Sequence, residues 1–171
     1  MHALIRGFLD VARIDSKGIV LQKKIFSIDE LLIDCAAEIA LFSDKHQLVR
    51  DQSAGLMVNA DREKIAQVID NLLHNALKYS PDGGQIRYGC REEAAGAVVW
   101  IRDDGIGIAP QDQEHLFSRF YRVENQSTHT ISGFGIGLYL CSEIIRSHGG
   151  TIGVESVPGK GSTFHFSLPM G

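Results

Sequence analysis

Residues 71–84 read Asn71-Leu72-Leu73-His74-Asn75-Ala76-Leu77-Lys78-Tyr79-Ser80-Pro81-Asp82-Gly83-Gly84, and this stretch decides the architecture. It completes an apolar pattern that starts after Asp61. Ile65, Val68, Ile69, Leu72, Leu73 and Ala76 recur at three- and four-residue intervals, the period of one helical face. The spacing predicts a helix from about Asp61 to Tyr79, stopped by Ser80-Pro81-Asp82-Gly83-Gly84. Beside the apolar face, Asn71, Asn75 and Lys78 stand at i, i+4 and i+7 and share a polar stripe. An asparagine oxygen can ligate Mg²⁺, which takes its other ligands from water and phosphate, and a lysine neutralises phosphate as a point charge. A solvated helix face would carry the same residue types, so the stripe alone does not choose.

Working outward, Ser27 and Glu30 make a capping box. The helix they open is expected to run to about Lys45, with Ile28, Leu31, Leu32, Cys35, Ala36, Ile39 and Ala40 on its apolar face. Strand patterns lie at Gln85–Arg91, Ala97–Arg102, Thr151–Val157 and Ser162–Leu168, the last two joined by the turn Pro158-Gly159-Lys160-Gly161. Shorter helical patterns lie at Gln111–Tyr121 and Ile136–His148, the second closed by Gly149-Gly150. Met1 to about Asp15 places Leu4, Ile5, Phe8, Leu9, Val11 and Ala12 at helical spacing, a wide apolar stripe that needs a partner. Helices and strands mix without regular alternation, which predicts an α/β (α+β) two-layer sandwich with helices on one face of a mixed sheet.

Composition narrows the function. The chain has 171 residues, a net charge of −4 and a pI of about 5.9, so it lacks the basic field of a duplex-binding protein, and no nucleic-acid partner is expected. Its longest apolar run, Ala94–Ile101, is far short of the roughly 20 residues that span a bilayer. Arg6 and Asp10 interrupt the first apolar stretch, against a signal peptide. Cys35, Cys90 and Cys141 have neither metal nor redox spacing, and a cytoplasmic setting is expected. Of 18 glycines, 15 lie from Gly83 onward, which directs the search for a ligand to the C-terminal half.

Three segments there carry chemistry. Asp103-Asp104-Gly105-Ile106-Gly107-Ile108 follows a strand, so a carboxylate at the strand end meets a tight turn. Such a carboxylate accepts hydrogen bonds from an exocyclic amine like that of adenine, and the glycines admit a flat ring, although a plain Asp-Gly turn carries the same residues. Gly133-Phe134-Gly135-Ile136-Gly137 opens the helix that starts at Ile136, where free N–H groups and the helix dipole favour phosphate. No strand precedes it and its spacing is G-x-G-x-G, so a dinucleotide fingerprint is rejected. Between these segments, Arg119–Ser132 fits a mobile lid, with Arg119 and Arg122 able to reach phosphate oxygens, and fits an ordinary surface loop equally well; only its position between two glycine motifs favours the lid.

The order of these motifs resembles the ATP-binding catalytic domain of bacterial sensor histidine kinases. The family's N box is similar to Asn71–Tyr79, its first glycine box to Asp103–Ile108, its F box to Leu116-Phe117-Ser118-Arg119-Phe120-Tyr121-Arg122, its second glycine box to Gly133–Leu138, and its last to Gly159-Lys160-Gly161-Ser162-Thr163-Phe164. The resemblance implies a Bergerat-type sandwich that binds ATP and Mg²⁺. By position, Asn75 would ligate the metal, with Asn71 and Lys78 close to the phosphates. Asp103 would take the adenine amine, Gly105, Gly107 and Ile108 would floor the base pocket, and Gly133, Gly135, Gly137 and Leu138 would face the phosphates. Tyr79 and Ser162 complete the implied set, and no residue of this chain is assigned as catalytic. Phe134 departs from the family, which has a small hydroxyl residue there, and beyond Arg122 the lid offers only His129 as a basic group.

The resemblance also implies two parts: residues 1–18 as the end of the second helix of a dimerisation and phosphoacceptor domain, and 19–171 as the catalytic domain. No acceptor-type histidine precedes the latter. His2 stands in the wrong helix, and His46, His74, His115, His129, His148 and His165 lack ligand spacing and are expected at the surface or in packing. The expected fragment binds nucleotide but does not phosphorylate itself. Its expected partners are ATP, its own phosphoacceptor domain and the receiver domain of a response regulator, within a homodimeric parent that can be membrane-anchored.

Two alternatives stand. The topoisomerase and mismatch-repair ATPases of the same fold carry a glutamate at the position of Asn71 to activate water, and asparagine cannot act as that base. Anti-sigma-factor serine kinases share the fold, but the Leu4–Ala12 stripe favours the sensor-kinase assembly. A nucleotide-binding partner module without turnover is the other class, and Asn75, Lys78 and Asp103 count against it.

Overall fold

The computed structural model describes residues 18–51, 54–94, 96–123 and 133–170, together with Leu9 and Ala12. Those two are helical; the rest of the expected opening helix, and with it the boundary of the expected first domain, lies outside the described residues.

Three helices lie on one face of a five-stranded sheet. The first, α1 (Ile28–Ala40), starts where the Ser27 hydroxyl accepts the Glu30 N–H at 3.3 Å. The expected continuation to Lys45 does not occur, because the helix caps at Leu41 and the chain turns into a strand at His46. The second, α2 (Arg62–Lys78), is the helix read from the opening stretch, and Ile65, Val68, Ile69, Leu72, Leu73 and Ala76 are its buried residues. Full burial of each large aliphatic chain contributes about 1.5–3 kcal/mol, far above helix propensity alone. One short helical turn, α3 (Pro110–Gln113), replaces the helix expected over Gln111–Tyr121. The last helix, α4 (Gly137–Ser147), matches its expectation to within a residue at each end.

The strands are β1 (Lys24–Ser27), β2 (His46–Arg50), β3 (Met57–Ala60), β4 (Gly84–Glu93), β5 (Gly96–Asp103), β6 (Ile152–Ser156) and β7 (Ser162–Leu168). The main sheet has the order β2-β4-β5-β7-β6, parallel only between β2 and β4, so it is mixed as expected. β1 and β3, which the pattern did not predict, form a separate antiparallel pair. Ile86, Tyr88, Cys90, Val99, Ile101, Phe164 and Phe166 send one side of the sheet into the core beneath the helices. The pleat then turns Arg87, Trp100, Arg102 and His165 to the other side.

One buried histidine ties the helix layer together. His148, at the cap of α4, donates from Nδ1 to the Ile144 carbonyl at 2.7 Å and accepts the Asp61 N–H at Nε2 at 3.0 Å. Asp61 in turn caps α2, accepting the Lys64 N–H at 3.2 Å and the Gln22 N–H at 2.8 Å. The packing role expected for His148 is therefore a specific clamp between two helix ends. Among the described residues, no helix is long and apolar enough to cross a membrane. The three cysteines are buried and unpaired, and burial pushes Cys35 and Cys141 up to about 12 and Cys90 up to about 11, which leaves them as inert core residues.

Candidate nucleotide site

The C-terminal half of α2 forms one wall of a cleft, and the loops after β5 and before α4 form its floor and opposite wall. Asn71, Asn75, Lys78 and Tyr79 line it from the helix. Asp103, Gly107 and Ile108 line it from the first loop, Gly133, Gly135, Gly137 and Leu138 from the second, and Arg122 and Ser162 from the rim. Asn71 and Ser162, 91 positions apart in sequence, thus meet where the glycines are densest.

The first loop is held by backbone. Tyr79 O accepts the Ile106 N–H at 3.0 Å, the Gly159 N–H donates to Ile106 O at 2.7 Å, and the Ser156 hydroxyl accepts the Ile108 N–H at 2.8 Å. Glycine is required here for close approach. A Cβ at Gly105 would stand 2.2 Å from Tyr79 O, and one at Gly107 would stand 2.1 Å from Val157 O on a backbone with φ of +69°. Gly105 is not among the cleft-lining residues. It packs behind the floor on the Tyr79 carbonyl and donates its N–H to Asp103 Oδ1 at 2.9 Å.

Asp103 is 4% exposed at the bottom of this cleft. Burial pushes its carboxyl up to about 6, against the opposing pull of the Gly105 and Ser162 N–H groups. An enclosed acceptor that burial makes costly to ionise, beside a ring-sized slot, is built to meet a donor from a ligand.

The second loop lies on the polar stripe of α2. A Cβ at Gly137 would stand 2.7 Å from Asn71 Oδ1, and one at Gly133 would stand 2.7 Å from Lys78 Nζ. Burial lowers the Lys78 ammonium, and the nearby Arg122 guanidinium lowers it further. Two cations held this close, next to the N-terminus of α4, make a seat for phosphate. Phe120 anchors the loop from the other side: its N–H donates to Gly135 O at 2.9 Å, and its backbone takes φ of +62°, rare for an aromatic residue.

Arg119, expected at the phosphates, is not among the lining residues. Its exposed guanidinium stacks over the Phe120 ring at 5.0 Å, because the turn that replaces the expected helix points it away. His129 and most of the expected lid, residues 124–132, lie outside the described residues. Ile106, Leu116, Tyr121, Val123, Phe134 and Phe164 also line the cleft and were not singled out as site residues. Apolar residues carry no chemical signature in a sequence, although Ile106, Leu116, Tyr121, Phe134 and Phe164 stand within the motif segments quoted above.

No group of three or more His, Cys, Asp or Glu side chains suited to a metal stands among the described residues. The Asn75 amide is the hard oxygen that fits a Mg²⁺ brought with a polyphosphate, and the donor set otherwise suits the phosphates themselves.

The chain resembles known proteins in sequence and in fold. Residues 60–171 match the family described as histidine kinase-, DNA gyrase B-, and HSP90-like ATPase. The chain is 35% identical over 180 residues to the sensor histidine kinase WalK of Bacillus subtilis, a match covering 99% of this chain and 28% of that protein. The solved catalytic domain of the histidine kinase ThkA superposes with a TM-score of 0.73 at 27% identity, covering 87% of this chain and 96% of that one. Full-length ShkA in complex with AMPPNP superposes with a TM-score of 0.81 at 24% identity, covering 98% of this chain and 35% of that one, a likeness of fold.

Proposed function

The chain belongs to the histidine kinase-, DNA gyrase B- and HSP90-like ATPases and is a catalytic domain of the sensor histidine kinase type, and from that premise we propose how its residues work. The domain binds Mg-ATP in the cleft and presents the γ-phosphoryl group to a histidine on a phosphoacceptor domain, for relay to a response-regulator receiver domain. The chain spans 28% of the length of WalK; in this reading the acceptor histidine is supplied by the phosphoacceptor domain and not by residues 19–171.

The observation that carries the reading is the joining of a buried carboxylate, Asp103, to a cationic and amide-lined wall across one cleft. Asp103 takes the adenine amine while Gly107 and Ile108 floor the base. Lys78 and Arg122 offset phosphate charge, Asn71 and Gly137 fix the approach of the second loop, and the Asn75 oxygen ligates Mg²⁺. When bound, the metal neutralises charge on the phosphates. The protein's contribution is positioning and electrostatic stabilisation rather than covalent chemistry. Asn71 also separates this reading from hydrolysis: an amide cannot take a proton from water, and this wall of the cleft holds no carboxylate in the set from α2.

Calorimetric titration with a non-hydrolysable ATP analogue, with and without Mg²⁺, tests the proposal. Saturable one-site binding that Asp103→Ala abolishes is expected. Absence of binding by the unmutated chain refutes it and favours a partner module without turnover.

A further inference from the structure

The side of the sheet away from the helices carries an arrangement that the nucleotide cleft does not use. Its central row runs Gly89, Trp100, His165, Gly153 across β4, β5, β7 and β6. The His165 ring lies against Gly153, where a Cβ would stand 2.8 Å from its Nε2. In the next row Arg87 stands directly opposite Arg102 on the antiparallel neighbour, a cross-strand pairing of like charges that a sheet does not favour.

Arg87 Nη2 is held by Asp51 at 2.9 Å, whereas Arg102 Nε reaches Asp104 only at 3.9 Å. The Nε of Arg87 and the Nε1 of Trp100 are enclosed and lack a hydrogen-bond partner. Trp100 is only 9% exposed although it faces away from the core. An enclosed donor without an acceptor costs its full desolvation. Here two such donors belong to residues lining one hollow, together with Arg91, Arg102 and His165.

We propose that this hollow is an oxyanion site, separate from the cleft and centred on Arg87, Arg102 and Trp100, that takes a phosphate or carboxylate group. The planar guanidinium forks suit either anion. An anion between the two arginines turns their repulsion into two attractive contacts. Asp51 engages only one Nη of Arg87, and the carboxylates of Asp51 and Glu155, both lining the same hollow, are the groups that oppose the anion.

Trp100 is the only tryptophan of the chain, so its fluorescence reads the site directly. The full chain is titrated with inorganic phosphate and, separately, with succinate, at constant ionic strength and with the cleft saturated by an ATP analogue. Repeating both titrations without the analogue makes the result independent of the nucleotide reading. A saturable change is expected, weakened at least tenfold in both Arg87→Gln and Arg102→Gln and strengthened severalfold in Glu155→Gln, with unaltered circular dichroism. Saturation by phosphate alone identifies a phosphate-bearing ligand, and saturation by succinate alone identifies a carboxylate-bearing one. No saturation by either anion, or saturation that both arginine substitutions leave unchanged, overturns the site.

Discussion

The backbone of Gly137 lies against the side chain of Asn71, so closely that a Cβ at position 137 would stand 2.7 Å from Asn71 Oδ1. This contact joins the first turn of α4 to the polar stripe of α2, and it is where the second glycine loop is registered on the helix.

A Gly137→Ala change separates binding from stability. Alanine in a helix gains about 0.5–1 kcal/mol over glycine, while the added methyl pushes the Asn71 amide out of place. The expected outcome is a melting temperature within about 2 °C of wild type and a loss of ATP-analogue affinity of about tenfold or more. Thermal denaturation and calorimetry on the same preparation decide it. Unchanged affinity would mean that Asn71 moves freely and does not set the loop.

Asp103 gives opposite pH dependences for stability and for binding. Burial raises its folded value above the unfolded one, so its contribution to stability is fully present below about 3.8 and is lost as pH rises through about 6. A rise of this size corresponds to roughly 3 kcal/mol at neutral pH. Nucleotide binding needs the ionised acceptor and should weaken as pH falls from 7.5 through about 6. Asp103→Asn keeps an oxygen for the Gly105 N–H but turns an NH₂ toward the adenine amine. It should melt a few degrees higher than wild type at pH 7.5 and equally near pH 4, and bind the ATP analogue at least tenfold more weakly at pH 7.5. A variant that melts lower at pH 7.5 contradicts the burial cost.

How much of this was written in the sequence depends on the range of the interaction involved. The α2 stripe was legible because helical period and polar spacing are local, and so was the hairpin of β6 and β7 around Gly159. β2 and the pair of β1 with β3 were not. They are four or five residues long, and they exist because Leu48 pairs with Ile86 and Phe26 with Val58, contacts about 30 to 40 positions apart. The spacing of Leu116, Phe117 and Phe120 imitated a helix, but Leu116 goes to the cleft, Phe117 packs edge-on against Phe164 at 6.4 Å, and Phe120 turns to positive φ. That break also explains why Arg119 leaves the cleft while Arg122 lines it.

Asn75 tests how the metal is held. With no acidic cage among the described residues, Mg²⁺ alone should give no calorimetric signal, and it should raise affinity only when a polyphosphate is present. Asn75→Ala should remove most of that enhancement, about tenfold, while leaving metal-free affinity within about twofold. The comparison requires titrations of both proteins in EDTA and in excess Mg²⁺. An enhancement that survives the substitution would assign the metal to another ligand.

His148 sets the acid limit of the helix layer. Burial lowers its folded value below 6.5, mainly because the imidazole is enclosed. The sign follows from proton uptake: above about 6.5 both states are neutral and the full contribution is present, and as pH falls below it the unfolded chain gains a proton that the folded one refuses. Protonation would also place an N–H at Nε2 against the Asp61 N–H that it now accepts, breaking the clamp between α4 and the cap of α2. His148→Gln loses about 1–2 kcal/mol at pH 7.5 through the disrupted bonds, and the gap to wild type should narrow between pH 6.5 and 5. Urea denaturation of both proteins at those pH values measures the gap directly, and a gap that stays constant or widens toward acid would show that the imidazole is not held neutral by the fold.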